Sequence, residues 1–125
     1  MVTTVTKIIL IADDEPQLRL LVRTTLEDDN YEIYEAEDGQ QALELAAQVN
    51  PDLFLLDNMM PKLDGIAVCK ELRANSKFSD RPVIMLTAKS QQHDISLGKK
   101  VGVTHYLTKP FSPLELMSLV EEILS

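Results

Sequence analysis

Five short apolar runs, each followed by a stretch with helical spacing, leave this 125-residue chain few folds to choose from. Residues 8–12 (Ile-Ile-Leu-Ile-Ala) are a continuous apolar run with the length of a buried strand. Asp13, Asp14, Glu15 and Pro16 supply the acids and the proline of a first helical turn, and Leu18, Leu21, Val22 and Leu26 recur behind them at helical spacing. Residues 31–36 alternate, with Tyr31, Ile33 and Glu35 on one side, as a less buried strand near an edge would. Asp38-Gly39 opens a second helix whose inward stripe is Ala42, Leu45, Ala46 and Val49, and Asn50-Pro51 stops it. Residues 52–56 read as a strand buried on both faces and ended by Asp57. A loop from Met60 to Gly65 then leads to a helix marked by Ile66, Cys69 and Leu72.

Pro82 opens a fourth core strand from Val83 to Leu86, which ends in Thr87-Ala88. Residues 90–101 carry the weakest helical pattern: Gly98 sits inside it, and an interior glycine costs about 1 kcal/mol against alanine. Residues 103–107 read as a short fifth strand, Lys109-Pro110-Phe111 breaks the chain, and Ser112-Pro113 caps a last helix with Leu116, Leu119, Val120 and Ile123 inward. The strand–helix units fall near 7–28, 31–49, 52–73, 82–101 and 103–124. They predict one α/β domain over 1–125, with a five-stranded parallel sheet between two helical layers and right-handed crossovers.

Twenty acidic side chains against twelve basic ones leave a net charge of −8, which argues against nucleic acid or an anionic membrane as a direct partner. A single cysteine, Cys69, excludes an internal disulfide and suits a reducing compartment. The N-terminal stretch has no signal-peptide pattern, and its apolar run is far short of the roughly 20 residues of a membrane span. A cytoplasmic location is expected.

In an open parallel sheet, ligands bind outside the carboxyl ends of the strands, at the topological switch point. The polar residues just past the apolar runs are Asp13 and Asp14, then Asp57, then Thr87 with Ala88, and beside the fifth strand Lys109. Three crowded carboxylates repel one another unless a cation sits among them. Oxygen ligands open to solvent suit Mg2+ or Mn2+, which keep waters and accept phosphate oxygens. A lysine and a hydroxyl would meet the remaining oxygens of a phosphoryl group, and a carboxylate can itself attack phosphorus. The residues therefore point to a Mg2+-dependent phosphoryl-acceptor site.

Four segments carry a resemblance that spans essentially the whole chain: Asp13-Asp14-Glu15, the run from Asp57 to Gly65, Leu86-Thr87-Ala88, and the run from Tyr106 to Phe111. In this order and at these separations they resemble the receiver domain of two-component response regulators, of the flavodoxin-like, chemotaxis-regulator type. The resemblance implies that Asp57 is the phospho-acceptor, fed by the phosphohistidine of a sensor histidine kinase or a phosphotransfer protein. It implies that Asp14 binds Mg2+ directly, Asp13 mostly through water, and Met59 through its backbone carbonyl. It assigns phosphoryl oxygens to Thr87, the Ala88 N–H and Lys109, and a switch to Thr87 and Tyr106. It implies a cis Lys109–Pro110 bond, and it makes Met59 and Lys89 the positions that tune the lifetime of the phosphorylated state. A downstream protein target would bind the surface of the fourth helix, fifth strand and fifth helix.

The chain also departs from the family's common pattern. Gly102-Val103-Thr104-His105 stands where many members have Gly-Ala-Asp-Asp, and the last helix lacks the arginine pattern of the DNA-binding subfamily. The missing arginine pattern argues against a dimer through that face and, with it, against a transcription-factor output; a monomer is expected, with a weak dimer as the alternative. His93 and His105 have no partner at metal-ligand spacing and read as surface residues. A haloacid-dehalogenase-like phosphatase would need an acid two positions after Asp57, where Met59 stands, and a flavodoxin-like FMN carrier would not place acids after its first strand. A phosphate-independent interaction module is the remaining alternative; otherwise the chain catalyses nothing beyond its own phosphorylation and dephosphorylation.

Overall fold

Five parallel strands, β1 (Lys7–Ala12), β2 (Tyr31–Ala36), β3 (Leu53–Asp57), β4 (Val83–Ala88) and β5 (His105–Lys109), form one sheet in the order β2-β1-β3-β4-β5. Each is followed in sequence by a helix: α1 (Pro16–Leu26), α2 (Gly39–Val49), α3 (Gly65–Ala74), α4 (Ile95–Val101) and α5 (Pro113–Leu124). This computed structural model describes residues 6–28, 30–88 and 95–125. The N-terminal stretch 1–5, Lys89, His93 and the expected start of the fourth helix at Ser90 lie outside the described residues.

The continuous apolar runs have a geometric cause. Successive strand side chains point to opposite faces, so a strand covered on both sides needs apolar residues at every position. Ile9, Ile11, Leu53, Leu55, Ile84 and Leu86 pack on one face against Val22 and Leu26 of α1 and Leu116 and Val120 of α5. Leu10, Ala12, Phe54, Leu56 and Met85 turn the other way, against Ala42 and Ala46 of α2 and Val68, Cys69 and Leu72 of α3. Each fully buried leucine or isoleucine contributes roughly 1.5–3 kcal/mol. β2 is the edge strand its alternation predicts, with Ile33 buried and Glu32 exposed.

Local chemistry fixes the helix ends. Asp38 and Asp64 accept from the backbone N–H groups of Gln41 and Ala67, at 2.8 and 2.7 Å. Ser112 and Glu115 form a reciprocal capping box, with Pro113 behind it. Asn50 ends α2 in the left-handed region at φ 54°.

Three expectations need correction. β5 spans His105–Lys109, two residues later than the 103–107 read from the sequence. A Schellman motif takes up the intervening residues: Gly102, at φ 98°, donates to the Lys99 carbonyl, and Val103 donates to that of Gly98. Arg73 on α3 then pins this turn, with Nε and Nη2 donating to the Gly102 carbonyl at 3.1 and 2.8 Å. Nor is His105 a plain surface residue. It is half-buried on the face of β5 shared with Leu107, and its enclosed Nδ1 has no hydrogen-bond partner among the described residues. β3 also runs one residue further than expected, so that Asp57 lies inside the sheet opposite Leu86.

The chain leaves β1 toward β2 on one side and returns to β3 on the other, so the loops after β1 and β3 diverge and open a crevice at the carboxyl edge. Gly65, the first residue of α3, lies against the floor of that crevice. A Cβ there would sit 2.6 Å from both the Asp57 carbonyl oxygen and Met85 Sδ. Gly65→Ala is expected to cost about 1–3 kcal/mol through this clash, read as a lower urea midpoint at unchanged slope. A midpoint within about 0.2 M of wild type would refute the close approach.

Candidate functional site

The carboxyl ends of β1, β3, β4 and β5 bring the predicted residues to one mouth, lined by Asp14, Glu15, Asp57, Met59, Ala88 and Lys109 around a space of about 310 Å³. Asp13 is wholly buried at the end of β1. Its carboxylate accepts from the Glu15 N–H at 2.9 Å and from Lys109 Nζ at 3.0 Å. Lys109 reaches Asp57 Oδ1 at 3.3 Å and Glu15 Oε1 at 3.5 Å from the same nitrogen. The Met59 N–H lies 3.4 Å from Asp57 Oδ1 while its side chain is exposed at the rim. Asp14 is exposed, and one carboxylate oxygen each from Asp13, Asp14 and Asp57 lie within 4.8 Å of one another.

Thr87 and Tyr106 complete the set. Thr87 lies one residue beyond Leu86, the pairing partner of Asp57. It is 1% exposed, and its hydroxyl has no hydrogen-bond partner among the described residues. Such an orphan is rare in a folded core and marks a position that a ligand can satisfy. Tyr106 is half-buried on the α3–α4 side of the sheet, and its hydroxyl lies against the backbone of Gly98 on α4, in space that a Cβ there would fill. The Lys109–Pro110 peptide is cis, as the resemblance implies.

The electrostatics follow from burial and crowding. Burial first, and the charge of Asp13 second, push the Asp57 carboxyl from 3.8 up to about 6, against the pull of Lys109. Burial also raises Asp13, although the Glu15 N–H and Lys109 oppose it. Lys109 is held above its ordinary value because its contacts with Asp13 and Asp57 outweigh the burial that disfavours its charge. Among the described residues, four carboxylates thus face one ammonium. Hard, charged oxygen donors with a shortage of positive charge suit Mg2+ or Mn2+, and the residues present fit such an ion.

Two contributors were not singled out from the sequence. Glu15 was visible within the acidic triplet, but its pairing with Lys109 depends on the fold. Arg19, whose Nη1 donates to the Asp13 carbonyl at 2.7 Å, has no sequence signal beyond being a polar position on α1.

A raised acid pKa carries a stability cost with a definite sign. Above pH 6 the folded state must hold Asp57 charged where the unfolded chain does so more easily, and below pH 4 both states are protonated and the cost vanishes. In EDTA, Asp57→Asn is therefore expected to raise stability at pH 8 by about 1–3 kcal/mol, an advantage that shrinks as pH falls from 6 toward 4. Thermal melts of both proteins at pH 8 and pH 4 check this, and a variant less stable than wild type at pH 8 would contradict it.

A family model for the response regulator receiver domain matches residues 9–121. The chain is 46% identical over 118 residues to the alkaline phosphatase synthesis transcriptional regulatory protein PhoP of Bacillus subtilis, covering 94% of this chain and 48% of that protein. It is 44% identical over 116 residues to the DNA-binding dual master transcriptional regulator RpaA of Synechocystis, covering 93% of this chain and 48% of that one. It thus spans about half the length of these two relatives, both transcriptional regulators. Among solved structures, Vibrio cholerae chemotaxis protein CheY4 superposes with a TM-score of 0.90 at 33% identity, over 96% of this chain and all of that one. The receiver domain of a histidine kinase from Syntrophus aciditrophicus gives 0.87 at 30%, over 95% and 90% of the two chains. Among the described residues, no helix is long and apolar enough to cross a membrane. With a flavodoxin-like sheet of order β2-β1-β3-β4-β5 and the acidic crevice at its switch point, the chain belongs to the response regulator receiver domain family, the signalling domains of two-component systems.

Proposed function

We propose that Asp57 accepts a phosphoryl group from the phosphohistidine of a sensor histidine kinase or phosphotransfer protein. The observation that carries this reading is the buried, unpartnered Thr87 hydroxyl placed one residue past the partner of a buried, lysine-paired Asp57. An oxygen of the Asp57 carboxylate attacks phosphorus, the P–N bond breaks, and the electron pair leaves with the imidazole nitrogen. Lys109 keeps Asp57 ionised and directed before attack and offers its ammonium to a phosphoryl oxygen afterward, while the Thr87 hydroxyl and the Ala88 N–H take the others. Asp13, Asp14, Asp57 and the Met59 carbonyl would hold Mg2+. The bound ion would offset the carboxylate charge and that of the incoming phosphoryl oxygens.

The phosphorylated aspartate carries a charge near −2 where one carboxylate charge stood before. That change draws the Thr87 hydroxyl toward the acceptor and frees space beside it, into which Tyr106 turns from its place against Gly98. The surface of α4, β5 and α5 then presents a different face to a downstream protein target. The similarity to transcriptional regulators supports an output in transcription, reached through protein contact; the net charge of −8 gives the chain itself no general affinity for nucleic acid. A haloacid-dehalogenase-like phosphatase is disfavoured by the methionine at position 59, where that chemistry needs an acid.

Intact mass with acetyl phosphate tests the acceptor directly. A gain of about 80 Da that requires Mg2+ and disappears in Asp57→Asn is the expected result. No adduct, together with no beryllofluoride binding, would favour the phosphate-independent module instead. Thr87→Ala is expected to take up the same 80 Da (approximately) while the Tyr106 ring resonances stay at their unphosphorylated positions. A full Tyr106 shift in that variant would remove Thr87 from the switch.

A further inference from the structure

The three carboxylates of the cluster are not held alike. Asp13 is fixed at its N–H by the Ala36 carbonyl, at Oδ1 by Glu15 and at Oδ2 by Lys109, and Asp57 is strand-bound and paired with Lys109. Asp14 is exposed and makes no hydrogen bond or ion pair among the described residues, so only its backbone fixes where its side chain starts. The peptide leading into Asp14 is pinned from behind. Arg19 Nη1 donates to the Asp13 carbonyl at 2.7 Å, from a side chain that is only 14% exposed.

Arg19 is itself aimed. Its Nε lies 3.1 Å from Glu35 Oε1 on β2, and the other oxygen of Glu35 takes Arg23 Nε at 2.6 Å. Arg23 is anchored in turn by Nη2 on the Ile33 carbonyl at 3.0 Å. A chain of charge-assisted bonds therefore runs from the edge strand through α1 to the carbonyl that precedes Asp14. Because the peptide unit is planar, fixing that carbonyl also fixes the direction of the Asp14 N–H and the starting point of its side chain.

We propose that Arg19 is a positioning residue for the cation site, orienting Asp14 toward the ion through the Asp13–Asp14 peptide without touching the ion itself. The proposal rests on the reading of the acidic cluster as a Mg2+ site. Simple electrostatics predicts the opposite sign: removing a cation beside an acidic cluster should tighten the binding of another cation. The two effects are thereby separable.

Calorimetric titration of the 125-residue chain with MgCl2 at constant ionic strength is the test. Arg19→Met is expected to weaken Mg2+ binding roughly tenfold, and Arg19→Lys, which keeps the charge and one donor nitrogen, to recover part of the loss. Arg23→Met removes a charge from the same network but spares the Asp13 bond, and should change affinity by less than about twofold. Unchanged or tighter binding in Arg19→Met overturns the proposal, as does an equal loss in Arg23→Met. If Arg19→Met fails to fold by circular dichroism, Glu35→Gln keeps both arginines and loosens their aim; a smaller loss of affinity is expected from it, and none would overturn the proposal. Failure of the wild-type chain to bind Mg2+ at all would overturn the reading of the site, and the proposal with it, and is distinguished by preceding any variant.

Discussion

Among the described residues, four carboxylates meet one ammonium at the mouth of the sheet, and the rest of the molecule is arranged around that imbalance. Lys109 lies within 3.5 Å of Asp13, Asp57 and Glu15, yet a single positive charge cannot balance the set. Burial first, and the charge of Asp13 second, push the Asp57 carboxyl up to about 6 even with its lysine partner in place. A site built for stability alone would replace one acid with a neutral residue. Retaining all of them makes the crevice a place where a divalent cation, and then a phosphoryl group, lowers the free energy.

Such crowding is tolerated because the acids sit on elements that cannot move apart. Asp57 is the last residue of a strand buried at every position, and Asp13 follows one that is wholly buried over its last four. Their separation is set by the spacing of adjacent paired strands, about 4.8 Å, which is the scale on which the carboxylate oxygens cluster. Lys109 comes from the far edge, two strands from β3, and only a long side chain could reach across. The opposite side of the β1–α1 loop is held by the Arg19–Glu35–Arg23 network, and the α4–β5 turn by Arg73. The arginines of that network brace the β1 side of the mouth, whereas Arg73 acts at the opposite, amino edge of the sheet, before β5 begins.

Much of this was legible beforehand because strand burial on both faces writes an unbroken apolar run, and helix caps write Asp, Ser and Pro at fixed places. Residues 13, 14, 57, 87, 88 and 109 could be collected because each follows or ends a strand, where parallel sheets keep their polar chemistry. The fifth strand was misplaced because Val103, a β-former by type, serves as the residue that closes a Schellman motif; side-chain preference is silent about a turn set by Gly102 in the left-handed region. His105 was misread because a lone histidine on an edge strand has no pattern to betray its enclosure. Arg19 and Arg73 were missed for a deeper reason: their partners are backbone carbonyls, and every residue has one.

The sequence by itself determined the alternation of strand and helix, the acidic character, and which residue types would gather at the carboxyl edge, since these follow from local periodicity and from the rule that polar groups leave a buried strand at its ends. Only the tertiary structure decided the distances: that Lys109 bridges Asp13 and Asp57, that the Thr87 hydroxyl stands unpartnered, and that Arg19 meets the Asp13 carbonyl. The lysine bridge rests on strand order and on contacts distant in the chain, 96 residues apart in the Lys109–Asp13 bond. Local preferences act over a few residues and cannot encode a separation of that length; it is fixed when the sheet assembles and burial makes each charge answer to its new neighbours.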